Sequence, residues 1–187
     1  MQLKSLLIGG RLPLTWYEKD YVDLIPMTSL QLRPLASLNY PGRTYKFFNG
    51  STVYPFGYGL SYTTFGLSLT APNIAFDIPL NKFQKCRDLN YTEGASKPSC
   101  PGVLIDDLGH QCDSLTVGFD VEVANVGEKD GSEVVFVYWA PPRSIVDAPI
   151  KQIIAFSKVF VEAWASTSTH FDFNVCKGLE LGAYNGY

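Results

Sequence analysis

From residue 115 to residue 123 the chain alternates strictly. Leu115, Val117, Phe119, Val121 and Val123 are apolar, while Thr116, Gly118, Asp120 and Glu122 between them are small or polar. A period of two puts one set on each face of an extended strand, so this segment predicts a half-buried antiparallel β-strand. The run Asn125-Val126-Gly127-Glu128-Lys129-Asp130-Gly131-Ser132 is dense in turn formers and predicts a reversal into a return strand, Val134 to Trp139, ended by Pro141-Pro142. Gln152 to Val161 and His170 to Val175 read as two further strands, with Phe171, Phe173 and Val175 on one face and a turn over Ala163 to Thr169 between them. Leu67 and Leu69 give an earlier short strand that stops before Pro72. Short strands separated by turn signals predict a β-sandwich. Its expected core is the alternating set above with Val135, Val137, Phe171, Phe173 and Val175.

The first third of the chain has a weaker period. Leu12, Leu14 and Trp16 alternate as a short strand, and Tyr21 to Leu24 allows one helical turn before Pro26. Residues 40 to 65 are dense in aromatics. Thr44, Tyr45, Phe47 and Phe48 are strand formers, and Asn49-Gly50 is a turn signal, so the stretch predicts a hairpin-like excursion. Pro55, Gly57 and Gly59 then bar a helix and force an irregular path. Rings at this density either pack as a seam between two domains or stack on sugars. Residues 73 to 112 read as a long loop, which in a compact domain calls for a tether.

Composition narrows the classes. The chain has 187 residues, 46% of them apolar and 18% charged, with a net charge of −3, as expected of an ordinary folded protein of one domain or one plus a part. No Lys/Arg-rich run is present to neutralise phosphates, which with the net negative charge argues against a nucleic-acid partner. No apolar stretch approaches the ~20 residues of a membrane span, and no membrane partner is expected. Leu6-Leu7-Ile8 behind Lys4 is too short for an export signal, so no signal peptide is expected. Cys86, Cys100, Cys112 and Cys176 fit no zinc or redox spacing and are disulfide candidates that allow three pairings. The sequons Asn49-Gly50-Ser51 and Asn90-Tyr91-Thr92 make Asn49 and Asn90 glycosylation candidates, consistent with an oxidising secretory setting.

Several words in the chain carry a resemblance. Gly42-Arg43-Thr44-Tyr45-Lys46-Phe47-Phe48 and Tyr54-Pro55-Phe56-Gly57-Tyr58-Gly59-Leu60-Ser61-Tyr62-Thr63-Thr64-Phe65 resemble the junction of family 3 glycoside hydrolases, where an α/β sandwich domain hands over to a fibronectin type III-like domain. Gly9-Gly10-Arg11-Leu12-Pro13-Leu14-Thr15-Trp16-Tyr17 and Ile25-Pro26-Met27-Thr28 narrow the likeness to the plant β-D-xylosidase branch. The likeness continues through Val123 to Val135, Ile150 to Phe156 and Phe173 to Lys177. It implies a mainly β chain: residues 1–64 as the C-terminal remnant of the α/β sandwich domain, and 65–187 as an incomplete fibronectin type III-like (immunoglobulin-like) β-sandwich lacking its last strands. Such a chain is expected to be a fragment of an extracellular, plant cell-wall enzyme that reaches xylan-derived oligosaccharides through the parent enzyme.

The resemblance implies a retaining glycosidase, whose two carboxyl groups stand about 5–5.5 Å apart across the scissile bond. In the family both come from segments upstream of the position matched by Gly9, so no catalytic, cofactor or metal residue is carried onto this chain. The remaining acids do not replace them. Asp106 and Asp107 are neighbours that point apart in an extended chain, and Asp120 and Glu122 share a solvated strand face. His110 and His170 with Ser61 or Ser132 lack a marked orienting acid and oxyanion site. His110 and Cys112 lack further ligands for a metal. No cofactor is implied. Three readings follow: the non-catalytic C-terminal part of a β-xylosidase, or of one that acts on α-L-arabinofuranosides as well; a stand-alone sugar-binding or packing module using Tyr138, Trp139 and Trp164 as platforms; or a non-functional truncated product.

Overall fold

The computed structural model describes residues 10–26, 28–70, 91, 93, 94, 116–141 and 148–176. Seven strands are formed among them: β1 (Trp16–Tyr17), β2 (Thr52–Tyr54), β3 (Phe65–Leu69), β4 (Thr116–Asn125), β5 (Gly131–Trp139), β6 (Gln152–Val161) and β7 (Ser166–Asn174). One short helical turn, α1 (Thr44–Phe47), and two 3-10 turns at Lys19–Asp23 and Ala36–Leu38 complete the described elements. The chain divides into two compact units, Met1–Thr70 with Asp120–Phe171, and Ala71–Phe119 with Asp172–Tyr187.

The molecule is mainly β, and its described strands form three small sheets of order β1-β2, β3-β4-β7 and β5-β6. β3 runs antiparallel to β4, with Phe65 opposite Asn125 and Leu69 opposite Val121. β5 and β6 form a long antiparallel pair from Gly131↔Val161 to Trp139↔Gln152, with a register shift between Val137 and Tyr138. In the first unit the inner faces meet through the buried Val121, Val123, Val135, Val161 and Phe171. Across them Thr169 on β7 and Ser157 on β6 share a hydrogen bond of 3.2 Å. The second unit buries Val175 and Cys176 and sets Phe119 edge-on to Phe173 at 6.1 Å. Of the expected core, Val117, Phe119, Val137 and Phe173 are half-buried, and Leu115 lies outside the described residues.

Three expectations are corrected. β5 is not the hairpin partner of β4: the reversal at 125–130 carries the chain from one sheet to the other. Asn125 is the physical cause. Its buried amide donates to Lys129 O at 2.8 Å and to Val161 O at 3.2 Å, which draws the turn toward β6 instead of folding it back in the plane of β4. The second correction is at 44–48, where the expected hairpin is replaced by the helical turn α1, and β2 pairs with β1. Three consecutive large side chains there are drawn in different directions. Tyr45 packs on Phe56, Phe47 is buried beneath the Arg33 guanidinium, and Phe48 meets Tyr17 and Tyr21. An extended strand offers only two faces, so a helical turn satisfies what a strand cannot. Gly42 makes the entry bend: its φ is +92°, and a Cβ there would lie 2.8 Å from Phe47 O.

The third correction concerns the turn expected over 163–169. It is short, closed by Ala165 N donating to Glu162 O at 3.2 Å with Trp164 at φ +62°, and β7 already begins at Ser166. Thr167 and Thr169 take the inward positions that a search for apolar residues overlooks. The 3-10 turn at Lys19–Asp23 lies where one helical turn was expected, and the residue range expected for β6 is observed. The loop expected over 73–112 lies outside the described residues apart from Tyr91, Glu93 and Gly94.

Candidate functional site

Among the described residues, the acids and nucleophiles considered from the sequence are dispersed or paired. Asp120 on β4 meets His170 Nδ1 on β7 at 2.9 Å, with both side chains more than half exposed. Glu122 accepts from Ser68 Oγ at 3.3 Å on the same outer face. Ser61 Oγ accepts from its neighbour Thr63 N at 3.4 Å, and Ser132 stands half-buried on β5 in the other sheet. Asp106, Asp107 and His110 lie outside the described residues. Glu133, the buried acid among the described residues, is held by the Arg11 guanidinium, which also donates to Gly59 O at 3.3 Å. No group of three metal-ligating side chains occurs among the described residues. Among the described residues, these groups do not assemble two free, facing carboxylates.

What the fold does assemble is aromatic. Tyr45 on α1 and Phe56 after β2 lie with ring centroids 4.3 Å apart. Phe56 then tilts onto Phe136 of β5 at 5.8 Å, and Tyr45 stands edge-on to Tyr138 at 6.1 Å. Backbone bonds close the arrangement: Ile153 N donates to Tyr45 Oη at 3.2 Å, and Ile150 N donates to Lys46 O at 2.6 Å. Lys151 Nζ lies 4.5 Å from the Tyr138 ring centroid. Burial, reinforced by Tyr45, pushes the Tyr138 phenol pKa up. These contacts tie residues 44–58 to the β5-β6 sheet, as the packing reading of the aromatic stretch requires. The aromatics are not equally engaged, however: Phe56 is half-buried, whereas Tyr62 is 73% exposed.

A second cluster secures the other side of α1. Tyr17 and Tyr21 stack at 3.9 Å, and Phe48 stands edge-on to both at 4.9 and 5.5 Å. Thr44, at the strained φ of +64°, donates its backbone N–H to Tyr17 Oη at 2.7 Å. Tyr40, 2% exposed, donates to Gln31 O at 3.0 Å and shares a 3.2 Å contact with Tyr21 Oη. Burial first, then the bond to Tyr21, pushes the Tyr40 phenol up to about 12. Tyr17 is raised by burial as well. Sequence reasoning read Thr44 and Phe48 as strand formers and Tyr21 as the start of a helical turn, and missed the cluster, because nothing in a local period reports which distant rings will meet.

The proposed sugar platforms fare unevenly. Tyr138 is half-buried with its ring occupied by Tyr45, Phe136 and Lys151. Trp139 is half-buried, and Trp164 is 70% exposed at the β6-β7 turn. Beside the seam lies an open groove of about 420 Å³ whose walls include Tyr45, Phe48, Phe56, Asn49 and Lys151. Asn49 is exposed on the link between α1 and β2, and Asn90 lies outside the described residues. Cys176 is 2% exposed and disulfide-bonded, while Cys86, Cys100 and Cys112 lie outside the described residues, so the pairing stays as open as the sequence leaves it.

The packed β-sheets and the sequence of the second half define the class. Residues 133–180 match the fibronectin type III-like domain. Over nearly its whole length the chain is similar to β-D-xylosidases. It is 41% identical to Beta-D-xylosidase 1 of Arabidopsis thaliana over 183 residues, covering 96% of this chain and 22% of that protein. It is 37% identical to Beta-xylosidase/alpha-L-arabinofuranosidase 2 of Medicago sativa subsp. varia over 173 residues, covering 92% of this chain and 21% of that protein. A solved GH3 exo-beta-xylosidase, XlnD, in complex with a xylobiose aziridine activity-based probe shares its fold with a TM-score of 0.51. That match has 24% identity over 87% of this chain and 19% of that one. The chain spans about a fifth of the length of these β-xylosidase relatives, and its match to them covers nearly all of its own residues.

Proposed function

We propose that this chain is the non-catalytic C-terminal part of a retaining glycoside hydrolase that acts on β-1,4-xylosides, and also on α-L-arabinofuranosides, during plant cell-wall xylan turnover. In this reading residues 1–64 are the end of the α/β sandwich domain, 65–187 are the fibronectin type III-like domain, and xylan-derived oligosaccharides are met through the parent enzyme in the extracellular cell wall. The observation that carries it is the use of the rings: Tyr45, Phe56, Phe136 and Tyr138 are turned into one another rather than offered to a ligand. The dispersed acids support the same reading, since Asp120, Glu122 and Glu133 each already have a partner.

The purified chain should give no hydrolysis of an aryl β-xyloside above a buffer blank. Turnover that survives repurification would overturn the non-catalytic assignment. The exposed Trp164 favours the sugar-binding alternative. Titrating the chain with xylo-oligosaccharides while following tryptophan fluorescence separates the two: no saturable change supports packing, whereas a saturable change abolished by Trp164→Ala establishes binding.

A further inference from the structure

We infer that Asn49 is an N-glycosylation site whose first sugar seats against the Phe48 ring at the rim of the groove beside the aromatic seam. The inference rests on the secretory reading proposed above and extends it to one atom, Asn49 Nδ2. Three observations combine. Asn49, Gly50 and Ser51 are all exposed, and they lie on the link that follows α1 and precedes β2, outside any helix or strand. The Asn49 side chain takes part in no hydrogen bond among the described residues, so its amide is available, and Ser51 supplies the hydroxyl two residues on that the acceptor sequence requires.

The third observation is what the site would place the sugar beside. Gly50 packs closely on the tip of the Phe48 ring, where a Cβ would come within 2.6 Å, and the ring is half-buried, so part of it reaches the surface beside the acceptor. Asn49 and Phe48 line the same groove of about 420 Å³, within the ~300–1,000 Å³ range of sites that enclose small ligands. A pyranose attached to Asn49 has an apolar C–H face that fits an aromatic wall, and an acetamido group that can meet polar neighbours at the rim. The occupant is the chain's own N-acetylglucosamine, fixed at the groove by its covalent bond, so its effective concentration there is high without any affinity of the free sugar.

The modification balances. The donor is an oligosaccharide on a polyprenyl diphosphate carrier. The bond from the sugar C1 to the diphosphate oxygen breaks, a bond from C1 to Asn49 Nδ2 forms, the amide gives up one proton, and the lipid diphosphate leaves.

The test is to send the whole chain into the secretory pathway of a plant or yeast host with an added leader, and to analyse the Asn49 peptide by mass spectrometry. The expected result is N-acetylhexosamine on Asn49, lost in Asn49→Gln and in Ser51→Ala and retained in Ser51→Thr. Trimming to a single N-acetylglucosamine should leave Tm unchanged. Complete removal by an amidase should lower Tm by about 2–4 °C, and Phe48→Leu should abolish that difference. A secreted chain glycosylated at Asn90 but bare at Asn49 would overturn the site, and an unchanged Tm on complete removal would overturn the seating. Because the leader forces secretion, a bare Asn49 counts against this inference and leaves the cell-wall localisation to be tested on the native protein in apoplastic fluid.

Discussion

Asn125 is the residue on which the sandwich turns. Its Oδ1 accepts from Thr63 Oγ1 at 2.6 Å and from Gly127 N at 3.1 Å, and its Nδ2 donates both protons, to Lys129 O and Val161 O. Every hydrogen-bonding position of the amide is used. Asn125→Ala leaves several of these partners buried and unpaired, so it should cost about 2–4 kcal/mol, read as a lower urea midpoint at unchanged slope. Asn125→Asp keeps the shape but faces Lys129 O and Val161 O with oxygen, and should cost at least as much. If Asn125→Asp is neutral, the hydrogen bonds do not organise this turn. Tyr40 carries the pH dependence. Its phenol is held neutral in the fold, up to about 12 against an ordinary 10.0, so the stability it contributes is full below pH 10 and is lost as pH rises through 12. Tyr40→Phe should flatten the fall in Tm over that window, and an unaltered slope would remove Tyr40 as its source. Neither role was legible in the sequence: Asn125 ends an alternating strand and reads as the first polar residue of a turn, and the environment of Tyr40 is built from residues 19 and 9 positions away, at Tyr21 and Gln31.

At the scale of elements, strands with a strict period were legible and their partners were not. β4 and β6 fall where alternation places them, because one buried face fixes the parity of every side chain. Parity does not say which sheet a strand joins, so β4 and β5 were paired across a turn that in fact crosses between sheets. α1 was illegible for a different reason. Strand propensity at Thr44, Tyr45, Phe47 and Phe48 is a weak local preference, overridden by rings that must reach three separate partners. The bend before α1 is testable on its own. Gly42→Ala must place a Cβ 2.8 Å from Phe47 O at a φ of +92°, and should destabilise by about 1–3 kcal/mol. Gly66→Ala, where a Cβ would have nothing within 4 Å, is the control and should stay close to the parent. Equal stability of the two variants would contradict the account of the bend.

For the whole molecule, the family resemblance, the mainly β class and the match to the fibronectin type III-like domain agree with one another, and what the described residues assemble is a seam of packed rings. The seam was legible as aromatic density but its pairings were not, since Phe56 and Phe136 are 80 positions apart and meet only in the folded chain. The central claim is that this density packs the chain and does not bind free xylo-oligosaccharide. The most direct measurement is the Tm of Phe56→Ala, taken with a xylo-oligosaccharide titration of the variant and its parent. Phe56 is half-buried, so truncation should cost about 1.5–3 kcal/mol, less than the ~3–5 of a fully buried ring. The account predicts a Tm lower by roughly 4–8 °C and no saturable sugar binding in either protein. An unchanged Tm, with sugar binding present in the parent and lost in the variant, would contradict it.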